Sequence, residues 1–154
     1  MRVLLFALML LATPAAADDW GHYENARYGY AVDVPPGFAA EGESDNGDGQ
    51  VFSTPTAQLS VFGGYLIDGG FEEEVILHQQ TATDAGWAIT YQATTPRWAS
   101  FSGTKGGRIM YERLIPICGD AVAAFVVTYG KADLDPFNPI VERLVQSLKS
   151  ASAC

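Results

Sequence analysis

The sequence predicts an α+β domain, a mostly antiparallel β-sheet sandwiched by helices in α/β/α layers. Three observations carry that prediction. Apolar residues alternate at period two in a succession of short runs, the mark of half-buried strands. Two stretches, one within residues 68–85 and one beginning at Asn138, switch to the helical period. The late strands are joined by short glycine-bearing links, Lys105-Gly106-Gly107 and Gly119-Asp120, which suit hairpins and are too short for parallel crossovers.

The first element is a leader. Arg2 supplies a positive start, Val3 to Ala12 is apolar, Pro14 breaks a helix, and Ala15-Ala16-Ala17 offers the small-residue pattern of signal peptidase. Residues 1–17 therefore read as a signal peptide cleaved after Ala17. The run falls short of the roughly 20 apolar residues of a membrane helix, and no later segment approaches that length. The end of the leader carries no cysteine, so no lipid anchor is expected. The expectation is a single domain over 18–154, periplasmic or secreted.

Strand signals follow at once. Tyr28, Tyr30, Val32 and Val34 alternate with Gly29, Ala31 and Asp33, and Pro35-Pro36-Gly37 ends the run. Glu41 to Gln50 is polar and reads as an exposed loop or hairpin tip. Strands resume at Val51–Ser53 and Ala57–Gly63. Within 68–85, Phe71, Val75, His78, Ala82 and Ala85 share one helical face, Asp68 is the expected cap, and Gly86 is the expected stop. Glu72, Glu73 and Glu74 fall where the helix dipole favours acids.

Four more strands are predicted. Trp87, Ile89, Tyr91 and Ala93 alternate with Ala88, Thr90 and Gln92. Trp98–Ser102 and Arg108–Ile117 come next. Ala121–Tyr129 is apolar at nearly every position, which requires a strand covered on both faces. The last element is a helix capped by Asn138 with Pro139 at its first position, after an Asp135-Pro136 turn. Ile140, Val141, Leu144, Val145 and Leu148 form its apolar stripe, and Lys149 falls near its C-terminus.

Composition bounds the partners. Without Arg2, eight Lys and Arg face eighteen Asp and Glu, a formal charge of −10 for residues 18–154. Nucleic acid and anionic membrane are polyanions and are disfavoured. Basic proteins, cations and neutral ligands stay open, and the chain is read as a monomer. Cys118 and Cys154 are the two cysteines, and in an exported chain such a pair is expected to bridge. Closing that loop is worth about 4 kcal/mol by loop-closure entropy.

Tyr23-Glu24-Asn25-Ala26-Arg27-Tyr28-Gly29-Tyr30-Ala31-Val32-Asp33-Val34-Pro35-Pro36-Gly37-Phe38 resembles the opening of PsbP-like domains, where an aromatic strand enclosing a glycine runs into a Pro-x-Gly-aromatic turn. The closing segment Phe137 to Lys149 is similar to the helix that ends those domains. The order of elements matches as well. The resemblance implies the fold of the extrinsic photosystem II subunit and of the Ran-binding nuclear import factor. It also implies work by docking on proteins, without catalysis. No binding residue of those proteins maps onto this chain. The resemblance extends to small exported bacterial proteins with an Asn-Gly-Asp-Gly loop like Asn46 to Gly49.

Candidate chemistry is sparse. Ser100 and Ser102 lack the setting of an activated nucleophile, and Lys105, three residues after Ser102, falls in a hairpin. His22 and His78 are far apart, and His78 on an apolar helical face reads as a half-buried packing residue. Glu43, Asp45, Asn46 and Asp48 form the candidate binding loop. Asp45 and Asp48 are its calcium alternative, since hard oxygens on a flexible loop suit that ion. Glycines in the ligand places break the EF-hand spacing, and Asn-Gly and Asp-Gly also signal hairpins, so no metal or cofactor is assigned. Trp87, Tyr91 and Trp98, with Tyr111 and Tyr129 nearby, form a candidate aromatic face or cleft. The reading is an exported, non-enzymatic domain binding a protein or envelope partner. The alternatives are a small-ligand or calcium-binding protein, or a hydrolase using the aromatic cleft.

Overall fold

A computed structural model describes residues 19–66 and 69–154. The leader at 1–17 and the Asp68 cap lie outside those residues. Two strands, β1 (Gly21–Asn25) and β2 (Tyr30–Val34), open the domain as an antiparallel hairpin. Then come β3 (Ala39–Glu43), β4 (Gly49–Ser53), β5 (Gln58–Tyr65), α1 (Phe71–Asp84), β6 (Ala88–Thr95), β7 (Trp98–Lys105), β8 (Arg108–Ile117) and β9 (Ala121–Gly130). A 3-10 turn, Lys131–Asp133, leads into α2 (Leu134–Ser147), and β10 (Lys149–Ser150) closes the chain.

Seven strands form one sheet in the order β3-β4-β5-β9-β8-β7-β6, antiparallel at every pairing. Strands β1, β2 and β10 form a second, smaller sheet. This is the predicted α+β fold. The apolar strand β9 lies at the centre of the large sheet and is covered on both faces. Its odd-numbered Ala121, Ala123, Phe125, Val127 and Tyr129 pack with the small sheet and α2. Its even-numbered Val122 and Ala124 pack with Val75 and Ala82 of α1. Period-two alternation thus sends one strand's side chains into two cores.

Helix α1 begins at Phe71 and stops where its sequence predicts. Gly86 takes φ 90°. Its N–H donates to the Thr83 carbonyl at 2.9 Å, and that of Trp87 to the Ala82 carbonyl at 3.0 Å. That pair of bonds satisfies the last carbonyls of the helix. Lys105 Nζ adds a bond to the Ala85 carbonyl at 2.6 Å, where a cation meets the negative helix end.

Helix α2 starts earlier than its prolines suggest. The 3-10 turn feeds β9 straight into it, so Asp133, not Asn138, flanks its first residue. Pro136 falls in the first turn, where its N–H has no helical partner to lose. Pro139 lies inside the helix. Lys149 also departs from expectation. Leu148 turns extended at φ −67°, ψ 117°, and Lys149 pairs with Ala31 in the small sheet. Cys118, in the β8–β9 turn, and Cys154 come to disulfide distance, with Cα atoms 5.3 Å apart. Among the described residues, no helix is long and apolar enough to cross a membrane.

Candidate functional site

The polar loop is the tip of the β3–β4 hairpin, and it is bonded largely to itself. Ser44 Oγ donates to the Asp48 carboxylate, and Asn46 Nδ2 donates to it at 2.8 Å. The Ser44 hydroxyl, against some desolvation and with help from Asn46, holds the Asp48 carboxyl below the usual carboxylate range. Arg27 reaches the Asn46 carbonyl, Asn25 Nδ2 reaches that of Gly47 at 3.0 Å, and the Tyr30 hydroxyl donates to that of Asp48 at 2.9 Å. Glu43 accepts from the Tyr23 hydroxyl at 3.2 Å. Of the two residues proposed for calcium, the Asp48 carboxylate is engaged in shaping the turn, while Asp45 is exposed and makes no side-chain hydrogen bond among the described residues. Among the described residues, no three His, Cys, Asp or Glu side chains converge as a metal set.

The structure splits the aromatic residues. Trp87, Tyr91 and Trp98 do not share a face. The pairing of β6 with β7 shifts between Ile89 and Tyr91, so Ile89 faces Gly103 while Tyr91 faces Ser102. A bulge of this kind inserts one residue and reverses which side the following side chains take. Trp87 and Ile89 therefore pack toward α1 with the second core. Tyr91 goes to the opposite side with Ser102, the side that also carries Trp98 and Arg113. Tyr129 is buried, stacked on Phe137 with centroids 4.2 Å apart.

That opposite side carries one candidate surface. Helix α2 packs over β2, β8 and β9. Beyond it, on the same side, Arg113 lays its guanidinium over the Trp98 ring, 4.3 Å from the centroid, and donates to Ser100 Oγ at 3.0 Å. Its Nε is buried without a partner. Burial pushes the Arg113 guanidinium down from its usual value, partly offset by Tyr111 and Tyr91. A groove of about 340 Å³ runs between this sheet surface and the start of α2, lined by Ser102, Thr104, Tyr111, Leu134, Asn138 and Val141. Leu134, 42% exposed, lines it, and Tyr91, 47% exposed, is the cross-strand partner of Ser102 in its wall. Tyr91 is exposed and Trp98 and Arg113 are half-buried, and Tyr, Trp and Arg are the side chains that dominate protein interfaces.

The other side holds a second feature. Glu112 projects from the middle of β8 into the α1 core and is 4% exposed. It is partnered by His78, whose Nδ1 lies 2.5 Å from Glu112 Oε1 and whose Nε2 lies 3.3 Å from Glu74 Oε1. Desolvation opposes the imidazolium, but the bond and charge of Glu112, then those of Glu74, outweigh it and raise the His78 pKa. The ring stacks on Phe62 at 5.7 Å. These groups border a cavity of about 390 Å³ between α1 and the sheet. His78 is half-buried and packed as its helical position predicts. The partnership with Glu112 is new, although the sequence carries its signal. Met110-x-Glu112-x-Leu114 puts a carboxylate on an apolar strand face, where a buried charge needs a partner.

Comparison with known proteins bears on the fold. Neither a protein-family model nor a curated protein sequence matches this chain. Solved structures do. The solution structure of cyanobacterial PsbP (CyanoP) from Synechocystis sp. PCC 6803 is similar at a TM-score of 0.67 and 12% identity, covering 90% of this chain and 96% of its own. The crystal structure of the Ran-binding protein Mog1p from Saccharomyces cerevisiae is similar at a TM-score of 0.64 and 10% identity, covering 88% and 97%. The chain is thus an α+β domain of the PsbP-like and Mog1 fold. At these identities the likeness extends to the architecture alone.

Proposed function

We propose that this chain is an exported, non-enzymatic docking domain that binds a protein partner of the cell envelope through the outer surface of β6, β7 and β8. The observation that carries the proposal is the cluster of Tyr91, Trp98 and Arg113 beside the α2 groove. Aromatic rings give large contact area at little entropy cost, and Tyr, Trp and Arg are the residues that dominate binding energy at interfaces. The leader-like residues 1–17 and the bridging cysteines support export. The acidic charge supports a partner that is not a polyanion. A protein of the same fold, Mog1p, carries the description Ran-binding, which supports docking by analogy of fold.

Photo-cross-linking in living cells tests it. A benzophenone amino acid replaces Tyr91 in one strain and Thr83, exposed on α1, in another. The expected outcome is a discrete protein adduct from position 91 that is lost with Trp98→Ala and absent from position 83. Equal adducts from both positions, or none from 91, would refute the docking surface.

A further inference from the structure

The cavity under α1 lies across the sheet from the docking surface and has a chemistry of its own. Its walls are mostly apolar, with Phe62, Trp87, Met110 and Val126 among them, and Leu77 stands at its rim, 54% exposed. Its volume falls within the roughly 300–1,000 Å³ that small-molecule sites span. Three polar side chains, His78, Thr81 and Glu112, break the apolar wall, and the Thr81 hydroxyl is bonded to the Leu77 carbonyl. The Glu112 side chain is 94% buried, taking its 6% exposure in the ion pair, and it lines the cavity. Among the described residues its one hydrogen-bonded oxygen is Oε1, held by His78. Oε2 is left as an acceptor without a partner.

The charge at this wall has a definite sign. His78 has no donor to spare, because its two nitrogens face Glu112 and Glu74. Two carboxylates face one imidazole, so the charge next to the apolar space is net negative whether or not the ring is protonated. A carboxylate or phosphate ligand would meet repulsion from Glu112 and Glu74 at this wall. A ligand that brings an N–H donor and a positive charge would complete the Glu112 acceptor set, and its apolar body would fill the cavity.

We propose that this cavity binds a small organic cation, an aromatic or alkyl ammonium, with the ammonium on Glu112 Oε2 and the hydrocarbon against Trp87 and Phe62. Ala85 is exposed and sits at the mouth, clear of the ion pair. The site is separate from the docking surface, so either reading can fail without the other.

Titration with phenethylamine, 2-phenylethanol and 3-phenylpropionate, followed by tryptophan fluorescence and by calorimetry, tests this. The amine is expected to saturate the protein and to bind at least tenfold more tightly than the other two. Glu112→Gln is expected to erase that preference. Ala85→Phe, which closes the mouth without touching the ion pair, is expected to abolish binding at an unchanged melting temperature, and it keeps the test decisive if Glu112→Gln does not fold. No saturable amine binding, equal affinity for the amine and the acid, or undiminished binding in Ala85→Phe would each overturn the proposal.

Discussion

Single residues decide the character of both sides of the sheet. Glu112 is the clearest case, since a carboxylate buried between Met110 and Leu114 would cost several kcal/mol unpaired. His78 meets it from α1, and Glu74, on the same helix, is the other charged group at the ring. Because the His78 pKa is raised in the folded state, its stabilisation is fully present below the unfolded value of about 6.5. It is lost as the pH rises through the higher folded value. Urea unfolding between pH 6 and pH 9 should therefore show the protein weakening as the pH rises. The double variant His78→Gln, Glu112→Gln should lack that slope. An identical slope in both proteins would show that the pair contributes nothing to it.

At the scale of elements, one close approach fixes how two strands sit together. A Cβ at Gly49 would fall 1.9 Å from the Val61 carbonyl oxygen, which belongs to the neighbouring β5 backbone. Gly49→Ala must push β4 off β5, and a loss of about 2–3 kcal/mol is expected by thermal or urea unfolding. Gly64 faces open space, so Gly64→Ala should leave stability within about 0.5 kcal/mol. Equal effects from the two would contradict the packing of β4 on β5. Element types were readable wherever the period was clean. Arg108–Ile117 is β8 to the residue, and Gly86 ends α1 as its lack of a Cβ allows. What escaped the sequence depended on partners far along the chain. Strand β1, with its short run, and the two-residue β10 exist because β2 pairs with both. The β6 bulge left Trp87, Ile89 and Tyr91 alternating in sequence while turning Tyr91 to the other side. The start of α2 was hidden because Pro136 fits the first helical turn, while Pro139, the usual mark of a boundary, lies inside the helix.

Across the whole molecule, the central strand β9 divides the interior into two cores, and each core borders a different surface. The side with α2 and the small sheet carries Tyr91, Trp98 and Arg113, while the α1 side carries Glu112, His78 and the cavity. The loop 41–50 was legible as a hairpin tip because its residues are turn formers. Its self-bonded state was not, since Ser44, Asn46 and Arg27 act through geometry and not through spacing. The candidate aromatic site was legible as residue types, but its real composition needed Arg113, which sits on β8 two strands from Tyr91. The central claim is that a partner protein docks on β6, β7 and β8. Hydrogen–deuterium exchange of the protein free and bound to its cross-linked partner measures this most directly. Docking predicts slowed exchange across 88–105 and the first turn of α2, with α1 unchanged. Protection confined to α1, or to the tip at 44–48, would contradict it.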